Sequence, residues 1–197
     1  MNAPPGAAPE TLSIGITGHR FLRDESILRA GLIEAVQRIK GVFPGRLFTV
    51  LSPLAEGADR LAAGVLLQQP GARLVVPLPL SRDEYMKDFD TAVSRSAFLR
   101  MFGLAADVVT LPPATSRNKA YEYAGLYVLE HCDLLVALWD GADSRGRGGT
   151  AEIVAAALES GKPVCHVWAG NNSPVKGKRT DVGEKHGRLR CLNFPAE

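Results

Sequence analysis

The chain has 197 residues, 46% of them apolar and 22% charged, proportions that exclude a disordered or fibrous protein and predict one compact domain. Its 23 basic and 21 acidic side chains leave a formal charge of +2, too small to hold a polyanion by bulk charge, so nucleic acid is not an expected partner. No apolar run approaches the roughly 18 residues that cross a bilayer, so no membrane is expected.

In chain order, residues 1–11 read as a flexible tail: Met1 to Glu10 holds prolines and alanines but no basic residue and no apolar block, unlike a secretory leader. From Leu12 to Trp168, short β-rich runs alternate with helical ones. Strands are predicted at Leu12–Thr17, Leu47–Leu51, Arg73–Leu78, Asp107–Leu111, Asp133–Trp139 and Pro163–Trp168. Most are continuous apolar runs, the pattern of parallel strands covered on both faces. Helices are predicted at about Asp24–Lys40, Glu56–Gln69, Arg82–Phe102, Asn118–His131 and Thr150–Ser160. Leu28, Leu32, Val36 and Ile39 form the apolar stripe of the first, and Gly161 and Pro163 stop the last. This order predicts a Rossmann-like, doubly wound α/β fold with a mostly parallel sheet of about six strands, helices on both faces and right-handed crossovers. Residues 169–197 form an extension with a basic stretch at Lys176, Lys178 and Arg179; within it, Arg188–Phe194 alternates as an edge strand would. Three cysteines, Cys132, Cys165 and Cys191, are too few for a disulfide framework and fit a reducing compartment, so the cytoplasm is expected.

Ligands of an open parallel sheet bind beyond the carboxyl ends of its strands, which directs attention to the loops there. After the first strand come Gly18, His19 and Arg20, a residue without Cβ beside two donors suited to phosphate or carboxylate. After the second, Ser52 and the amides that open the next helix, near Gly57, suit an anion. Glu56 and Asp59 suit ribose hydroxyls or, equally, compensate the helix dipole. The loop after Trp139 is the most informative: Asp140, Gly141, Arg145, Arg147, Gly148 and Gly149 precede a helix that Thr150 is expected to cap. Its amides and dipole converge where a phosphate fits, Arg145 or Arg147 adds bidentate contact, and Glu152 in the first turn reaches a sugar. No lysine follows these glycines as in a P-loop, and the opening strand lacks a GxGxxG turn, so ATP hydrolysis by that machinery is not expected. The segment Pro77–Ser81, with Asp83, Glu84, Tyr85, Asp88 and Phe89 beyond it, is either a rim over a base or sugar or a solvated helix face.

The segments GITGHR (Gly15–Arg20), SPLAEGADRL (Ser52–Leu61), PLPLSRDEYMKDF (Pro77–Phe89) and HCDLLVALWDGADSRGRGGTAEIV (His131–Val154) together resemble the SLOG superfamily over about Leu12–Trp168. That superfamily groups LOG-type nucleotide phosphoribohydrolases with the DNA-processing protein A domain and with nucleotide-sensing domains, some of which bind ADP-ribose-like ligands. The resemblance implies a nucleotide-binding domain and a homodimer paired through helices. The phosphoribohydrolases carry PGGxGTxxE and pair that glutamate with an upstream arginine. Here Glu152 follows Thr150 by two residues with no proline before the glycines, which turns its carboxylate about 100° around the helix. Arg117 does not stand at the spacing of the family's arginine.

Two readings follow. In the first, the domain senses or binds a nucleotide: amides of Gly148, Gly149 and Thr150 hold phosphate, Arg20 adds charge, and Glu56, Asp59 or Glu152 grips ribose. In the alternative, it is a nucleotide N-glycosidase in which Glu152 and Arg20 are catalytic and Glu152 stabilises an oxocarbenium-like ribose. A purely structural subunit would bind no nucleotide. No cofactor beyond the ligand is called for. No metal is expected, because His131 with Cys132 and Cys165 with His166 are neighbours that do not converge. No serine stands in a G-x-S-x-G turn. Tyr121, Tyr123 and Tyr127 share one side of a helix and suit core or dimer packing.

Overall fold

The computed structural model describes residues 10–143 and 149–195. They form β1 (Thr11–Gly18), α1 (Glu25–Val42), β2 (Leu47–Leu51), α2 (Ala58–Leu66), β3 (Arg73–Leu78), α3 (Arg82–Met86), α4 (Ala92–Phe102) and β4 (Ala105–Thr110). Then follow α5 (Arg117–His131), β5 (Leu134–Trp139), α6 (Thr150–Glu159), β6 (Val164–Trp168) and β7 (Leu189–Leu192). The described residues build a seven-stranded sheet in the order β4-β3-β2-β1-β5-β6-β7. Neighbours from β4 through β6 are parallel, and β7 closes one edge antiparallel to β6. The alternating segment in the extension is therefore a strand, and the sheet has one strand more than the six expected.

Strand β5 shows why the central runs are continuously apolar. Leu134, Val136 and Leu138 enter a core built with α1 and α2, whereas Leu135 and Ala137 enter a second core built with α5 and α6. Both faces of the sheet are thus dry, as a doubly wound fold requires. On α1 the stripe of Leu28, Leu32, Val36 and Ile39 is buried as expected. Its N-cap residue Asp24 has φ 50° and makes no side-chain cap bond. A cap contributes about 1 kcal/mol, while each buried aliphatic side chain contributes roughly 1.5–3 kcal/mol, so packing holds this helix.

Two helix predictions need correction. The segment Arg82–Phe102 is not one helix: α3 ends at Met86, and Thr91 caps α4 by accepting from the Ser94 N–H at 3.0 Å. Nine residues of straight helix would turn Phe98 to the side opposite Phe89. The break lets Phe89 meet both Tyr85 and Phe98 at 5.1 Å between ring centroids, and all three are buried. Helix α2 begins at Ala58 rather than Glu56, because Gly57 has φ 75° and ψ −118°, outside the helical region. Among the described residues no helix is long and apolar enough to cross a membrane.

Candidate ligand cleft

Strand order reverses between β1 and β5, and the loops that leave their carboxyl ends are locked together. His19 N–H donates to the Leu138 carbonyl at 3.0 Å, and the Asp140 N–H donates to His19 Nε2 at 3.2 Å. The Asp140 carboxylate lies 3.3 Å from that nitrogen, takes the Thr180 hydroxyl at 2.6 Å and accepts the Ala142 N–H at 3.0 Å. Burial disfavours its charge, but the bonds from Thr180 and Ala142, with His19 beside it, prevail and hold it below the usual carboxylate range. His19 and Asp140 are thus a clasp that joins three segments.

The glycines of these loops serve close packing. A Cβ on Gly18 would stand 2.4 Å from the Leu138 carbonyl oxygen, and one on Gly57 would stand 2.3 Å from that of Arg20. The two loops touch because the Ala58 N–H, first in α2, donates to the His19 carbonyl at 3.0 Å. That amide is therefore spent on the fold and does not receive the anion expected there. Ser52 is likewise withdrawn: it is fully buried, and its hydroxyl accepts from the Leu54 N–H at 3.1 Å. Gly141 lies flush against the Trp168 ring.

Two adjoining cavities open above the clasp, and both are lined by Gly18, Arg20, Gly149 and Thr150. The outer one, about 500 Å³, is walled by the start of α6 and by Asn171, Ser173 and Lys178 of the extension. The inner one, about 310 Å³, runs over Pro53, Asp59, Tyr85, Asp88, Tyr121 and Ile153. At the head of α6 the N-cap position belongs to Gly149, and Thr150 is the first helical residue, so the expected threonine cap is absent. The Gly149 carbonyl takes the amides of Glu152 and Ile153 at 3.1 and 3.2 Å. Among the described residues nothing accepts from the amides of Thr150 and Ala151, both of which line the outer cavity. Arg145, Arg147 and Gly148 lie outside the described residues.

The inner cavity has a charged flank. Arg20 donates to Glu56 at 2.8 Å and to the Asp88 carbonyl at 3.2 Å. Glu56 also accepts from the Ser94 hydroxyl. Burial raises the Glu56 pKa, but the hydrogen bonds from Ser94 and Arg20 outweigh it and keep the group ionised below its usual range. Behind them Arg60 donates to the Leu54 and Ser94 carbonyls, each at 2.9 Å, and lies 4.3 Å from the Phe89 ring centroid. Asp59 is 6% exposed. Desolvation raises its pKa to about 7 against the Ala55 N–H, the Ser52 hydroxyl and the charges of Arg60 and Arg20. A carboxyl that titrates near neutrality beside a cavity is a site signal. Asp88 binds Arg117 at 2.7 Å and accepts the Tyr121 hydroxyl, so Tyr121 faces the cleft rather than serving as core or dimer packing alone.

Glu152 is placed elsewhere. It lines a separate cavity of about 430 Å³ with Trp139, His166, Trp168 and Arg190, and lines neither cavity of the cleft. After Thr150, the α6 residue that lines the inner cavity is Ile153, one position beyond Glu152. The structure thus brings together Gly18, Arg20, Asp59, Gly149 and Thr150, with Glu56 behind Arg20. His19 and Asp140 also line the outer cavity while clasped to each other, whereas Ser52 and Glu152 line neither cavity. Sequence reasoning missed the role of Arg60, whose place in the first turn of α2 was the available signal, and the contribution of Asn171, Ser173 and Lys178 as a wall of the cleft. Among the described residues no group of three or more His, Cys, Asp or Glu is placed to hold a metal ion. No family model and no curated protein matches the chain.

Proposed function

We propose that this cleft binds a nucleotide or a nucleotide-derived ligand, and that the chain is a sensor or binding module of the SLOG type. The observation that carries the reading is the pair of open amides on Thr150 and Ala151, which head a ten-residue helix at the point of strand reversal. Helix N-termini in that position favour an anion through both their N–H groups and their dipole. Lys178 and Arg20 line the same cavity and add positive charge. The inner cavity, with Tyr85 and Tyr121 on its wall and Asp59 and Asp88 beside them, suits a sugar and base.

One observation favours the hydrolytic alternative: a carboxyl with a pKa near neutrality, that of Asp59, lines the inner cavity. Against it, Asp59 is held by the Ala55 amide at 3.1 Å, and Ile153 occupies the turn of α6 where an acid would face the ligand. A binding role is the reading we adopt. We extend the proposal to self-association through α5, where Leu126 is exposed, and to a cytoplasmic setting.

The test is calorimetric titration of the purified chain with nucleoside mono- and diphosphates and ADP-ribose, with chromatography of each mixture for free base. Saturable binding without base release is expected. Release of base would establish the alternative, and the absence of binding across the panel would overturn both.

A further inference from the structure

At the β7 edge of the sheet, two cysteines meet across the β6–β7 ladder. Cys165 and Cys191 are direct partners in its antiparallel register. The Trp168 N–H donates to the Arg188 carbonyl at 3.0 Å, which makes 168/188 a hydrogen-bonded step. Hydrogen-bonded and open pairs alternate along an antiparallel ladder, so 166/190 is bonded and Cys165/Cys191 is an open pair. Open pairs bring Cα atoms to about 4.5 Å, inside the range of roughly 4.4–6.8 Å that a disulfide spans. Both residues are now free thiols.

The surroundings distinguish the two. Cys165 is completely buried, whereas Cys191 lines a cavity of about 790 Å³ together with Glu34, Gln37 and Arg38 of α1. Hydrogen bonds from Cys165 and Arg38 outweigh burial and the charge of Glu34 and bring the Cys191 thiol down to about 7. The same bond and burial push Cys165 upward. One thiol is accessible and readily ionised beside a guanidinium, and the other waits behind it as a protonated donor.

We propose that Cys165 and Cys191 form a redox-active dithiol that reacts with a small carboxylate-bearing disulfide, R–S–S–R, entering the cavity beside Arg38. The Cys191 thiolate attacks one sulfur, forms a mixed disulfide and expels RS⁻. Cys165 then attacks the Cys191 sulfur, expels the second RS⁻ and leaves the Cys165–Cys191 disulfide. The protons given up by the two protein thiols convert both leaving groups to RSH, so the dithiol is oxidised by two electrons and R–S–S–R is reduced. Transient disulfides of this kind are the form expected under reducing conditions.

The test uses the whole reduced chain without oxygen, equilibrated with oxidised and reduced glutathione over a range of ratios, then alkylated and mapped by peptide mass spectrometry. The expected result is joint loss of Cys165 and Cys191 from the alkylated pool, a cross-linked peptide pair joining them, and Cys132 still alkylatable after unfolding. Cys165→Ser is expected to accumulate glutathione on Cys191. A wild-type chain that keeps glutathione on Cys191 without the cross-link, or stays fully reduced at the oxidising end, overturns the proposal. The wild-type map decides the matter if the variant does not fold.

Discussion

Replacing Asp59 by asparagine tests the electrostatics of the inner cavity most directly. In the unfolded chain this carboxyl ionises near 3.8, and in the folded protein it does so at about 7 because it is buried. Between those values the unfolded chain has released the proton while the folded chain retains it, so this group's contribution to stability falls as pH rises through that window. Three units at about 1.36 kcal/mol each amount to roughly 4 kcal/mol. Asparagine keeps an oxygen for the Ala55 amide and carries no charge to desolvate. The stability difference between Asp59→Asn and wild type is therefore expected to move in the variant's favour by a few kcal/mol between about pH 4 and pH 7, then level off. Urea unfolding of both proteins across that range measures it. A difference independent of pH would refute the reasoning, as would one that moves toward wild type as pH rises, because the carboxylate would then be ionised and stabilising where it stands.

Gly149→Asp is expected to weaken nucleotide binding by about tenfold to a hundredfold, the equivalent of one charge-assisted bond lost, because its carboxylate takes the Ala151 amide and sets a negative charge beside that of Thr150. Stability should change by no more than a few tenths of a kcal/mol, aspartate being a good N-cap; calorimetry and thermal unfolding separate the two effects, and unchanged affinity would place the phosphate elsewhere. Gly57→Ala forces a side chain into φ 75° and onto the Arg20 carbonyl, 2.3 Å away, so a loss of roughly 2 kcal/mol or more in urea unfolding is expected. Glu152→Gln should leave nucleotide affinity within about twofold, well under 1 kcal/mol, because the side chain lines a different cavity; a larger loss in titration would return it to the site.

Legibility in the sequence followed locality. The strand positions were readable because each central strand is buried on both faces, and β2 and β3 match their predicted limits residue for residue. The α3–α4 break was missed because apolar spacing continues through it. Thr91 caps α4, and the break brings Phe89 and Phe98 together, a contact that no local spacing encodes. In the cleft, a glycine or acid after a strand marked the right neighbourhood but not its task. Asp140 serves His19 and Thr180, and Gly18 and Gly57 serve each other's loops. Such roles depend on partners distant in sequence, as Thr180 is from Asp140, and no spacing rule encodes them. The angle of Glu152 was legible in kind: one residue of helix turns a side chain by about 100°, and the structure shows where that turn leads it.

Ahead of the β6–β7 pairing, the part of the extension that walls the cleft is fastened by Arg23 with Asp181 at 2.6 Å, by Thr180 with Asp140, and by the Asn172 amide on the Phe21 carbonyl at 2.8 Å. The Arg23–Asp181 contact joins residues 158 apart in sequence and is solvent-exposed, the kind of ion pair that water and salt screen to little net stability. The outer wall of the cleft is thus a seam closed by a few polar contacts, and it can part while the parallel strands stay paired. Any guest that bridges Lys178 to the α6 amides would sew that seam shut, so occupancy would be felt along the extension as slowed amide exchange, beyond the residues that touch the guest.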